Sequence, residues 1–160
     1  LIGKENLQTI LKRYFDEWKF KHPTPNDFIR VAEKVSGAEL SWYLNDWTRT
    51  TNTIDYGIRD VTTESQNTII TLERIGLTPM PLEVKVSYTG GTSETYYIPL
   101  RIMRWEKPGA GKIVDDWAWA YPTYELNIPA KRFGIEKVEI DPSGLMADVN
   151  RKNNVEVMNE

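Results

Sequence analysis

The chain has 160 residues, 40% of them hydrophobic and 27% charged, with six Trp, eight Tyr and four Phe. That composition suits one compact domain, or a domain with a small helical unit, and excludes a disordered chain. Twenty basic against 23 acidic side chains leave a net charge of −3. Without a block of like charge, nucleic-acid and membrane-surface roles have no electrostatic support, and no apolar run approaches the ~18 residues of a membrane span.

Three helices come first. Leu7, Ile10, Leu11, Tyr14, Phe15 and Trp18 recur at spacings of three and four, while Lys12, Arg13, Asp16, Glu17 and Lys19 take the other face. The pattern predicts an amphipathic helix from about Lys4 to about Phe20. Thr24, Pro25 and Asp27 form a start signal: a capping hydroxyl, a proline at the first helical position and a carboxylate near the positive helix end. Phe28, Val31, Ala32 and Val35 make the buried stripe of this second helix, and Gly37 can take the left-handed turn that ends it. A third helix follows, with Leu40, Tyr43, Leu44 and Trp47 on one face, and ends in the β-branched stretch around Thr50-Thr51-Asn52-Thr53.

From residue 54 the hydrophobic period changes to two. Ile54 to Val61 and Thr68 to Ile75 read as a strand pair. Leu82, Val84, Val86 and Tyr88 alternate with Glu83, Lys85 and Ser87, Gly90-Gly91 offers a hairpin turn, and Tyr96, Ile98, Leu100 and Ile102 return. Pro99 marks an edge or a bulge on that return. Tyr124, Leu126 and Ile128 form a further strand; Val138 and Ile140 lead into the turn Asp141-Pro142-Ser143-Gly144, with a last short strand expected over Met146 to Val149. The fold class is therefore α+β: a three-helix unit over 1–50, an antiparallel Ig-like β-sandwich over 51–150, and a loose polar tail over 151–160.

Chemistry-bearing residues are few. The absence of Cys removes disulfides, thiol nucleophiles and thiolate metal sites, and the single histidine, His22, excludes any two-histidine zinc motif. His22 sits in Lys21-His22-Pro23-Thr24-Pro25, an extended stretch between helices, as a solvated loop residue. Asp115 and Asp116 are adjacent, so on a strand they face opposite ways and read as turn residues. Asp141, Asp148 and Asn150 offer oxygen ligands without the spacing of a calcium loop. Gly109-Ala110-Gly111-Lys112 lacks the first glycine and the final Ser/Thr of a phosphate loop. The sharpest candidate is Trp117, Trp119 and Tyr121, which would project from one face of a strand. Such a row either stacks on sugar rings or fills an aromatic core layer, and the core layer is the expected role. No catalytic and no metal-binding residue is assigned.

Pro23-Thr24-Pro25-Asn26-Asp27-Phe28, then Glu33, Ser36-Gly37, Leu40 and Trp47, resembles a segment of the aminopeptidase-N-like zinc metallopeptidases that lies downstream of their catalytic centre. The helix with Tyr14 and Phe15 resembles the family's preceding helix. Thr71-Leu72-Glu73-Arg74 and the Asp141-Pro142 turn are similar to bacterial members in which the chain ends at a small β-sandwich. The resemblance implies the end of a thermolysin-like catalytic domain followed by that sandwich.

The family's HExxH helix, its downstream glutamate ligand, its Gly-x-Met-Glu-Asn segment and its transition-state tyrosine have no counterpart here. The resemblance therefore implies a non-catalytic C-terminal portion, inactive alone, with no cofactor in this segment and zinc held by the parent enzyme. The chain starts at Leu1 and reads as a piece of something longer, whose partner is the upstream catalytic domain. The wide stripe on the first helix exceeds what two short helices cover, so the isolated fragment is expected to self-associate. The alternative function is a carbohydrate- or peptide-binding β-sandwich module with a helical appendage.

Overall fold

The computed structural model describes residues 1–64, 66–129 and 134–158; the last two residues of the expected tail lie outside them. Its helices are α1 Lys4–Trp18, α2 Pro25–Ser36 and α3 Ser41–Arg49. Its strands are β1 Tyr56–Glu64, β2 Asn67–Arg74, β3 Leu82–Tyr88, β4 Ser93–Ile98, β5 Lys112–Ile113, β6 Thr123–Ile128, β7 Ile135–Ile140 and β8 Val155–Val157. The fold is mixed α+β, with helices first and strands after.

The helix boundaries follow from local chemistry. Asp27 closes the start of α2 by accepting hydrogen bonds from the Thr24 backbone N–H at 2.8 Å and the Thr24 hydroxyl at 2.7 Å. Gly37 ends it at φ 76°, its N–H donating to the Glu33 carbonyl, the left-handed cap a glycine adopts without steric cost. In α1 only Ile10 is fully buried; Tyr14 meets the edge of Phe28 on α2 at 5.1 Å. Leu7, Leu11 and Phe15 stay exposed, and Trp47, placed by its spacing on the buried face of α3, is 51% exposed.

The strands form two sheets, β1-β2-β6 and β5-β4-β3-β7-β8. All pairings are antiparallel except the short β4–β5 pair. A bulge between Ile58 and Asp60 re-phases β1, so that Tyr56 and then Val61 both turn inward. Ile70 and Leu72 of β2, Leu126 and Ile128 of β6, Val84 and Val86 of β3, and Val138 and Ile140 of β7 share one core with Tyr56 and Trp117. Each such side chain contributes roughly 1.5–3 kcal/mol by leaving water.

Three expectations are corrected. The return strand stops at Ile98, because Pro99 has no N–H to continue the ladder, and the chain enters a 3₁₀ turn over Arg101–Met103. Residues 146–149 do not make a strand; Asp148 contributes a single bridge to Ile54. The tail is not loose over its described length: Val155–Val157 pairs with β7, and the Ile140 N–H donates to the Asn154 carbonyl at 2.8 Å.

The 3₁₀ turn also joins the two halves. Leu100 and Met103 are buried in the helical cluster with Ile10, Ile29, Val31, Ala32, Ala38 and Leu40. The helical unit therefore completes its core with a segment from beyond the boundary at residue 50.

Candidate functional site

Trp117 organises the region where the sequence places its aromatic row. Its backbone N–H donates to the Pro99 carbonyl at 2.8 Å, and its own carbonyl accepts the Arg101 N–H at 3.3 Å. The indole is 4% exposed and packs against Tyr56 at 5.6 Å and Tyr124 at 5.4 Å. Its Nε1–H, which needs an acceptor once buried, donates to the Tyr121 carbonyl at 2.9 Å.

That last bond requires the chain to reverse. Residues 118–121 form a turn closed by the Tyr121 N–H on the Ala118 carbonyl at 3.0 Å, and the Arg74 guanidinium holds the Trp119 carbonyl at 2.8 Å. The expected strand with three rings on one face is thus not formed. Trp117 is a core residue, whereas Trp119 and Tyr121 are 55% and 66% exposed.

Trp119 instead lines a groove of about 550 Å³ at the junction of the helical and sheet parts, with Glu39, Trp42, Arg101 and Arg104. The Glu39 N–H donates to the Met103 carbonyl at 2.9 Å, and the Trp42 indole N–H donates to the Glu39 carbonyl at 2.8 Å. Arg101 is held by a two-pronged contact with Asp116, at 2.7 and 3.2 Å. The guanidinium keeps the Asp116 carboxyl below the usual carboxylate range. Arg104 sits in the left-handed region at φ 47°, and its side chain has no hydrogen-bond or ion-pair partner among the described residues.

The other candidates are committed elsewhere. Asp115 and Asp116 make different contacts: the Asp115 backbone carbonyl accepts the Tyr124 hydroxyl at 2.7 Å, while the Asp116 carboxylate pairs with Arg101. Asp141 accepts the Met146 N–H and the Ser143 hydroxyl, both at 2.8 Å. Asp148 accepts the N–H groups of Tyr56 and Asn150, whose side-chain oxygen takes no part in that bond. Lys112 leaves its glycine-rich loop to pair with Glu94 at 2.5 Å. Gly111 is required there, since a Cβ would lie 2.3 Å from the Thr95 carbonyl oxygen. His22 is exposed between α1 and α2. Among the described residues no group of three His, Asp or Glu side chains gathers as a metal site, and no helix is long and apolar enough to cross a membrane.

No family model and no curated protein matches this chain.

Sequence reasoning missed Glu39, Trp42 and Arg104. Trp42 lies off the predicted Leu40-Tyr43-Leu44-Trp47 stripe, yet it packs half-buried against the helical cluster while Trp47 faces solvent. Arg104 carried no signal, because a positive φ at a non-glycine residue is set by its surroundings.

Proposed function

We propose that this chain is the non-catalytic C-terminal portion of a zinc-dependent metalloaminopeptidase, in which it buttresses a catalytic domain supplied upstream. The single observation that carries the reading is the apolar face of α1. Leu7, Leu11 and Phe15, one helical turn apart, are 46%, 50% and 64% exposed, although Ile10 and Tyr14 of the same helix are packed. The face continues into an apolar cleft of about 660 Å³ lined by Leu7, Ile10, Phe28, Leu40, Tyr43 and Leu145. An apolar surface of this extent is what a neighbouring domain covers. The motif resemblance of α2 and α3 supplies the identity of that neighbour.

The sheet part is read as an Ig-like sandwich. The order β1-β2-β6 opposite β4-β3-β7-β8, with one core between them, supports that connectivity. Its role is mechanical: it anchors Leu100 and Met103 beneath the helices and so fixes the angle at which α1 meets the upstream domain. The residues here do not fit a zinc site, since His22 stands alone in a loop. In the parent, zinc would activate water and polarise the peptide carbonyl through upstream ligands.

The test is the polypeptide encoded ahead of Leu1, together with aminoacyl-anilide hydrolysis by the long and short forms. An upstream HExxH with a downstream glutamate, and chelator-sensitive turnover by the long form alone, are expected. Turnover by the 160-residue chain itself, or an upstream region without that motif, overturns the reading.

A further inference from the structure

We propose that the groove between the helical and sheet parts binds a neutral, pyranose-containing glycan, with Trp119 as its stacking platform and Arg104 and Glu39 as its hydroxyl-binding groups. The groove of about 550 Å³ falls within the ~300–1,000 Å³ range of small-ligand sites. It does not involve Leu7, Leu11 or Phe15, so it is separate from the face assigned to the upstream domain.

Four observations carry the assignment. First, Trp119 presents an exposed ring although its backbone is clamped by Arg74 and by the turn that Trp117 closes. With the backbone of the turn fixed, only the side-chain torsions of the ring are left to order on binding, which lowers the cost of binding. Second, the opposite wall is equally fixed: Glu39 is tied to Met103, and Trp42 to Glu39. Third, Arg104 adopts φ 47° with a guanidinium that has no partner among the described residues. The left-handed conformation caps the 3₁₀ turn through the Arg104 N–H on the Arg101 carbonyl, and it leaves the guanidinium free to donate to a ligand in the groove. Fourth, the charges of the lining cancel in number, without an ion pair between Arg104 and Glu39. Arg101 is neutralised by Asp116, which leaves one cation, Arg104, and one anion, Glu39, in the lining and no excess of either sign.

A neutral ligand that is apolar on its faces and rich in hydroxyls around its edge fits this set. The C–H face of a pyranose covers an indole, while a planar guanidinium donates to adjacent hydroxyl oxygens and a carboxylate accepts from hydroxyl protons.

The experiment titrates the 160-residue chain with maltotriose, cellotriose and chitotriose, and with trigalacturonate as the anionic control, up to about 10 mM, where a binder of about 1 mM affinity is largely occupied. Tryptophan fluorescence and ¹⁵N shifts report binding. Saturable binding of at least one neutral trisaccharide is expected, with shifts confined to residues around 39–42, 101–104 and 118–120. Trp119→Ala should weaken it at least about tenfold, and Arg104→Gln, which leaves the platform in place, by several-fold. Absence of saturation with all three neutral sugars overturns the proposal. So does a preference for trigalacturonate, or binding that survives Trp119→Ala unchanged. None of these outcomes depends on an upstream catalytic domain, so failure here leaves the peptidase reading to its own test.

Discussion

Asp148 accepts a hydrogen bond from the backbone N–H of Tyr56 at 3.0 Å, across 92 residues of chain. The same carboxylate takes the Asn150 N–H at 2.8 Å and the Asn154 side-chain amide at 3.3 Å. It thereby ties the loop after β7 to the first residue of β1, and the open edge of one sheet to the start of the other. Asp148→Ala leaves the Tyr56 N–H without its acceptor and should cost about 1–3 kcal/mol. Urea unfolding of the variant checks this. A loss under about 0.5 kcal/mol, the range of an ordinary surface change, would mean that water replaces the carboxylate.

Trp117 and Trp119 are two residues apart and should respond oppositely to truncation. Trp117→Ala opens a cavity between Tyr56 and Tyr124 and frees the Tyr121 carbonyl, at a cost of about 3–5 kcal/mol. Trp119→Ala removes an exposed ring and should stay within about 0.5 kcal/mol of the parent. Thermal melts of the two variants, measured side by side, make the comparison. Equal losses would place Trp119 in the core as well.

Acid and alkali should act through different groups. Hydrogen bonds from Lys112, Tyr96 and Tyr88 hold Glu94 down from 4.5 to about 2. A carboxyl depressed in the folded state contributes stability above its unfolded pKa and loses it as pH falls, here between about 4.5 and 2. Glu94→Gln should therefore flatten the decline of the urea midpoint over that window. On the alkaline side, burial pushes Tyr56 and Tyr97 up to about 12 and raises Tyr96 further. The unfolded chain ionises first, so stability is complete below pH 10 and falls as pH rises from there. A midpoint constant from pH 10 to 12 would contradict the burial of these hydroxyls.

The apolar face of α1 should drive association of the isolated chain. Sedimentation at about 100 μM, within the range where exposed apolar surface aggregates, is expected to show dimers or larger species. Leu11→Glu with Phe15→Glu should restore the monomer without lowering the melting point, since both side chains already face water. Hydrogen exchange should find residues 4–18 less protected than β3 and β7. A monomer with α1 as protected as the sheets would show that the helical unit is self-sufficient.

Local chemistry was legible in the residues themselves. Thr24, Pro25 and Asp27 announce the start of α2 and Gly37 its end because each acts on backbone groups three or four positions away. The alternation from Leu82 to Tyr88, the glycine turn that follows and the core strands β2, β6 and β7 are equally short-range, since a half-buried strand needs a period of two. The excess width of the α1 stripe could also be counted on the chain.

What depends on distant partners could not. Trp117, Trp119 and Tyr121 alternate as a strand would, yet the buried indole N–H of Trp117 requires an acceptor, and the turn that brings the Tyr121 carbonyl to it carries Trp119 out to solvent. Leu100 and Ile102 continue a β pattern in sequence, but Pro99 ends the ladder and the half-finished core of the helices takes Leu100 and Met103 instead. Val155–Val157 suits a strand by its two valines, but it is too short to form one alone and does so on the edge that β7 offers. In each case the sequence by itself determined the side chains and their local geometry, and the tertiary structure decided which donor, edge or cavity they would satisfy, since a buried polar group or an open core is completed by whatever the fold brings within reach.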